Sequence, residues 1–194
     1  MRTVENIVVD NVSKSFGENK VLDSFSCTFH GGEFNFIMGR SGSGKTTLFM
    51  ICAGLMQPDS GTVSGVDTKH IGAVFQEDRL CLQFSALRNI KIACAGKISD
   101  DEIIMALNDV GITEVRNKPV KDFSGGMKRR VAIVRAVLCG ADTLFFDEPF
   151  KGLDETTKLS VMNFVKQRTA GKTVIIITHD ESDAQFFGGS LITL

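Results

Sequence analysis

The chain has no apolar run approaching the roughly 18 residues needed to cross a membrane. It does not open on a basic segment followed by an apolar core either. The start MRTVENIVVDN mixes charged and apolar residues, so no secretory leader is expected. The expectation is a soluble chain whose membrane role, if it has one, comes through a partner. Surplus positive charge is also missing: 22 Lys and Arg stand against 23 Asp and Glu, and a net charge of -1 signals no basic face for nucleic acid or anionic lipid. The five cysteines (Cys27, Cys52, Cys81, Cys94, Cys139) include no C-x-x-C pair. That argues against a zinc site and for reduced, mostly buried thiols in a reducing compartment. Internal repeats and low-complexity linkers are absent. What is left, 43% hydrophobic and 23% charged over 194 residues, has the balance of a globular domain with room for one inserted subdomain.

Two stretches, 4–16 and 21–29, carry alternating or apolar-rich patterns around the turn residues Gly17, Glu18 and Asn19, and read as strands. After a Gly31-Gly32 turn, 34–38 predicts a short strand, 45–53 a buried helix stopped at Gly54, and 71–75 a strand ending at Gln76. From 77 to 140 the character is helical. Ser99 with Glu102 fits a capping box, followed by Ile103, Ile104, Leu107 and Val110 at helical spacing. A second helix over 125–139 is basic early (Lys128, Arg129, Arg130) and apolar later. Strand and helix then alternate: 143–146, 155–168, 173–178, 180–187 and 191–194. The continuous apolar runs at 143–146 and 173–178 suit strands covered on both faces of a parallel sheet. The expected class is α/β, with an N-terminal antiparallel β region and an inserted helical subdomain.

The segment Gly39-Arg40-Ser41-Gly42-Ser43-Gly44-Lys45-Thr46 fits G-x-x-x-x-G-K-[ST] between a strand and a helix, the context that a P-loop requires. Glycines let the backbone curl so that successive N–H groups point at phosphate oxygens, and the helix adds its positive dipole end. Lys45 should reach the β- and γ-phosphates, and Thr46 should offer its hydroxyl to Mg²⁺. Thr47 joins the nucleotide-binding set. Asp147-Glu148 follows the apolar TLFF, at the strand end where open α/β sheets bind ligands. Asp147 is placed to hold Mg²⁺, and Glu148 to orient or deprotonate an attacking water. His179 follows the strand TVIIIT, whose end should neighbour that of Asp147, and suits a hydrogen bond to the γ-phosphate. Gln76, also at a strand end, can bond Mg²⁺ or the attacking water. His30 and His70 are read as having no such role.

Taken in order, GRSGSGKT, Gln76, FSGGM (123–127), FFDEP, Gly152-Leu153-Asp154 and His179 resemble the ATP-binding cassette family, specifically the nucleotide-binding subunit of an ABC transporter. The resemblance spans nearly the whole chain. It implies one ABC ATPase domain over 1–194, with a RecA-like P-loop NTPase core at about 1–76 and 141–194 and a helical subdomain at about 77–140. It further implies hydrolysis of ATP with Mg²⁺ by two subunits packed head to tail, most simply a homodimer. Each ATP would lie between one subunit's cradle and the other's Ser124, Gly125 and Gly126, with Asp154 crossing the same interface. Phe16 fits the adenine-stacking position, usually tyrosine in the family. Transmembrane permease subunits and a solute-binding protein are the implied partners, no nucleic acid among them, with the chain cytoplasmic on the inner face of the cell membrane. No regulatory domain is expected after the last strand. The departures are Phe123 and Met127, where the family usually has the ends of LSGGQ. VFQEDRL with Ser85-Ala86-Leu87-Arg88-Asn89-Ile90 looks like importers of the nitrate, sulfonate and taurine group, although Cys81-Leu82-Gln83 replaces their usual leucine-proline. The alternative is a soluble family member such as a cluster-assembly ATPase.

Overall fold

The computed structural model describes residues 4–194; residues 1–3, part of the expected leader-free start and of the expected 1–194 domain, lie outside the described residues. The chain forms two compact units. One gathers the described residues up to Ile71 with Asp142–Glu148 and Ala170–Leu194; the other gathers Gly72–Ala141 with Pro149–Thr169.

In the first unit, β1 (Ile7–Phe16) pairs antiparallel with β2 (Asn19–Phe29) and with β4 (Ser60–Ser64), in the order β2-β1-β4. The expected N-terminal antiparallel region is there, although its first strand starts three residues later than the apolar pattern suggests. β4 was not expected from the sequence. Its SGTVS composition has weak strand propensity, and pairing with β1 decides its conformation. Four strands run parallel in the order β6-β7-β3-β8: β6 is Thr143–Asp147, β7 Thr173–Ile177, β3 Phe34–Met38 and β8 Ser190–Thr193. Every residue of β6 and β7 is buried, as continuous apolar runs in a sheet covered on both faces require. α1 (Lys45–Cys52) buries Leu48 and Phe49, and the Phe49 ring meets Phe145 edge-on at 5.5 Å. α6 (Glu181–Phe187) brings Phe187 to 4.6 Å from Phe34.

The second unit is entered through β5 (Ile71–Val74) and is otherwise helical: α2 (Ala86–Ala93), α3 (Asp100–Asp109), α4 (Gly125–Leu138) and α5 (Glu155–Arg168). Side chains cap all four. Ser85 accepts from the Arg88 N–H, Ser99 from Glu102, Ser124 from Met127 and Asp154 from Thr157. The serine half of the expected capping box at Ser99 is thus formed. The alternation of strand and helix after 141 suggests that 155–168 belongs with the core. Instead α5 clusters with the helical unit, where it contacts α3 and α4 and Arg168 lies 3.5 Å from Asp109.

The five cysteines are free thiols. Cys52 and Cys94 are buried and Cys27 and Cys139 half-buried, but Cys81 is exposed, contrary to the expectation of mostly buried thiols. Among the described residues no helix is long and apolar enough to cross a membrane.

One buried amide sets the entry to β3. Asn35 is fully buried; its Oδ1 accepts from the His30 N–H at 2.8 Å, and its Nδ2 donates to the carbonyls of His30 (3.0 Å) and Glu33 (3.1 Å). Asn35→Leu removes all three hydrogen bonds, which are part-buried, and should cost about 2–4 kcal/mol of stability. Urea unfolding should show this as a lower midpoint with an unchanged slope.

Candidate functional site

The cradle is built by β3 running into α1. Gly39 has φ 153°, and a Cβ there would lie 2.3 Å from the Leu194 carbonyl oxygen and 2.8 Å from Ser43 Oγ. Gly44, at φ 97°, caps α1 without a side-chain bond; a Cβ on it would lie 2.9 Å from Val21 Cγ1. Only glycine meets both demands. The first turn of α1 carries no acidic residue, so its N–H groups keep their positive field. Arg40, Ser41 and Gly42 are exposed along the loop, and Thr47 is half-buried on the helix. Ser43 Oγ is buried and has no hydrogen-bond partner among the described residues, an orphan that a ligand oxygen would satisfy. Lys45 is buried, and its Nζ donates to the carbonyls of Gly39 (3.0 Å) and Arg40 (2.7 Å). An ammonium has three donors, so the lysine braces the loop with two and retains one.

The strand register brings the acidic residues and the histidine together. Asp147 pairs with Ile177, which pairs in turn with Ile37, so β3, β6 and β7 end level with one another. Asp147 is buried at the end of β6, and its Oδ2 accepts from Thr46 Oγ1 at 3.2 Å. Two hard oxygen ligands therefore stand side by side. This set fits Mg²⁺, which takes one or two protein oxygens and leaves the rest to phosphate and water. Glu148 has φ 47°, a left-handed conformation unusual for a side-chain-bearing residue, and its N–H donates to the Ile177 carbonyl at 2.9 Å. The turn aims Glu148 Oε1 to within 3.2 Å of His179 Nε2. The expected neighbours Thr46, Asp147, Glu148 and His179 thus meet. The turn that carries His179 is tied on either side of it: Thr178 Oγ1 donates to the buried Asp183 at 2.6 Å and accepts from the Asp180 N–H at 3.1 Å. Phe16, at the end of β1, is 50% exposed, which suits a ring that stacks on a ligand and not one that fills the core.

The other expected residues lie in the second unit. Gln76 is exposed just past β5. Ser124 Oγ accepts from the Met127 N–H at 3.2 Å, which leaves its own proton to donate. Nothing lies within 4 Å of where a Gly125 Cβ would be, so no packing inside the chain calls for a glycine there. Phe123 is buried, and its departure from the family pattern is an exchange of one apolar packing residue for another. Asp154 caps α5, and the Thr157 N–H it accepts holds its carboxyl below the usual range.

The expected site omits three side chains that hold Gln76's segment. Arg129 donates to the carbonyls of Phe75 and Gln76, Arg135 to those of Asp78 and Arg79, and the buried Asn89 bonds the backbone of Cys81, Phe84 and Ser85. Arg135 was legible in principle, because a charge set inside the apolar run VAIVRAVL has to find polar partners.

Similarities to known proteins cover most of the chain. A sequence model described as ABC transporter matches residues 22–151. The aliphatic sulfonates import ATP-binding protein SsuB of Rhodopseudomonas palustris (strain BisA53) is 35% identical over 190 residues, covering 92% of this chain and 66% of the relative. The lipoprotein-releasing system ATP-binding protein LolD of Bacteroides thetaiotaomicron is 33% identical over 201 residues, with 92% of each chain covered. The dimeric structure of a post-hydrolysis state of the ATP-binding cassette MJ0796, bound to ADP and Pi, superposes with a TM-score of 0.86 at 30% identity, covering 97% of this chain and 94% of that one. By motif order, fold and sequence, the chain belongs to the ABC transporter family.

Proposed function

We propose that this chain binds and hydrolyses ATP as the nucleotide-binding subunit of a transporter whose membrane-spanning subunits are separate chains. The observation that carries the reading is the convergence of the glycine cradle, Thr46, Asp147, Glu148 and His179 at the ends of adjacent parallel strands. Phe16 stacks on adenine. The N–H groups at Gly39, Arg40, Ser41, Gly42, Ser43 and Gly44 and the third donor of Lys45 take the phosphates, with Thr47 beside them. Thr46, Asp147 and Gln76 are the residues that would hold Mg²⁺. When bound, Mg²⁺ neutralises charge on the β- and γ-phosphate oxygens. Glu148 takes a proton from the attacking water, whose oxygen bonds to the γ-phosphorus as ADP leaves. His179 holds Glu148 in place and suits a hydrogen bond to the γ-phosphate.

The second half of each site comes from a second copy of the chain. Ser124 keeps a proton to donate, and Gly125 leaves open space that no internal contact uses, so both suit a phosphate arriving from outside. Asp154 would cross the same interface. The likeness to a dimeric cassette supports this arrangement. Permease subunits and a solute-binding protein complete the proposed assembly, with this chain on the cytoplasmic face of the cell membrane. The SsuB relative and the stretch around Gln76 support an importer of the nitrate, sulfonate and taurine group.

Glu148→Gln should bind ATP, lose about 10²-fold or more in turnover and accumulate as an ATP-held dimer on size exclusion. A monomeric variant that hydrolyses normally at saturating Mg·ATP would refute the base assignment. Lys45→Ala should weaken ATP binding about 10- to 100-fold by equilibrium titration, the value of one charged hydrogen bond. Ser124→Ala should leave monomer affinity intact and weaken dimer formation by about 10-fold or more; loss of affinity in the monomer would put the serine in its own subunit's cradle.

A further inference from the structure

β4 begins at Ser60, opposite Ser13. β1 therefore runs on through Lys14, Ser15 and Phe16 with no β4 residue beside it, an edge that would leave the Ser15 N–H unpaired. Asp59 takes the place of the missing strand. Its own N–H donates to the Ser13 carbonyl at 2.9 Å, its Oδ2 accepts from the Ser15 N–H at 2.7 Å, and its Oδ1 accepts from Lys14 Nζ at 2.6 Å. One residue thus binds three consecutive residues of β1. The Lys14 bond first, and the Ser15 N–H after it, hold the Asp59 carboxyl below its usual range. A single exposed ion pair fixes little, but a carboxylate shared between a side chain and the backbone beside it fixes both. The same lysine reaches the Phe16 ring. Its Nζ lies 5.9 Å from the ring centroid, within the range of cation–π attraction, and its side chain is only 18% exposed. Phe16 is the last residue of β1 and pairs with Asn19 across a turn, where a hairpin end by itself frays.

We infer that Asp59 and Lys14 are positioning residues for the nucleobase: Asp59 holds the end of β1 and sets Lys14 against Phe16, and together they fix the ring on which a purine stacks. The inference rests on the function proposed above, in which Phe16 meets adenine. A stacking ring contributes most when it is held in place before the ligand arrives, because ordering it on binding costs affinity. Asp59 and Lys14 therefore set the part of nucleotide affinity that depends on the base. The part that depends on the phosphates belongs to Gly39–Thr46, a separate segment of the chain, and is untouched by them.

The test is calorimetric titration of the purified chain with ATP and, separately, with inorganic tripolyphosphate, both with Mg²⁺. The wild-type chain should bind ATP more tightly than tripolyphosphate, and the ratio of the two affinities reports the base. Asp59→Ala frees both Lys14 and the Ser15 N–H; Lys14→Met keeps the apolar stem and removes the ammonium. Each should weaken ATP binding by about 3- to 10-fold, the range that a stacked aromatic pair contributes, and leave tripolyphosphate affinity within about 2-fold of wild type. Variants that keep the wild-type ratio, or that lose both ligands equally as general damage to the fold would require, overturn the inference. The chain has no tryptophan or tyrosine, so Phe16→Trp supplies a sole reporter at the ring position. Its emission should be quenched by ATP and not by tripolyphosphate, and Lys14→Met in that background should reduce the quenching at saturating ATP. If Asp59→Ala does not fold, Lys14→Met decides by both readouts, and unchanged quenching overturns the inference. A wild-type chain that binds neither ligand overturns instead the function on which the inference rests.

Discussion

Asp147 is a carboxylate placed at the end of a strand whose every residue is buried, and the Thr46 hydroxyl donates to it across 101 residues of sequence. Burying such a group is costly unless it is hydrogen-bonded or paired, so the end of β6 and the first turn of α1 are bound to one arrangement. The rest of the first unit follows from that constraint. β3 must deliver the glycine loop to the foot of α1, β7 must run level with β6 to bring His179 to Glu148, and the left-handed turn at Glu148 is tolerated because its N–H is taken by Ile177. An apolar sheet supplies the rigidity, and the polar side chains at its edge supply the chemistry.

The second unit is organised around one helix. α4 begins with a serine that caps it and a Gly125 that no packing inside the chain requires, and further along it holds the backbone around Gln76 with two arginines. The proposed phosphate-binding serine and the arginines that hold the segment after β5 therefore share a single element.

The P-loop was legible because its chemistry is local: eight consecutive residues between a strand and a helix specify both the curl and the charge. The acidic pair and His179 were legible because each ends a long apolar run, which predicts a buried strand and so a common sheet edge. β4 was not legible, since SGTVS becomes a strand only by pairing with β1. The grouping of α5 with the helical unit was hidden for a similar reason, because alternation of strand and helix says nothing about which neighbour a helix packs on. The exposure of Cys81 was missed because a cysteine's composition-based preference for the interior carries no position.

By itself, the order of motifs along the chain determined the α/β class, the cradle and the identity of the residues at each strand end, since these depend on short-range pattern and on residue chemistry. Only the tertiary structure decided that Glu148 meets His179, that Lys45 braces its own loop, that Phe16 is exposed and Phe123 buried, and that Arg129 and Arg135 reach carbonyls more than fifty residues away. Each of these is a contact between distant segments, fixed by sheet register and helix packing, which no local pattern encodes.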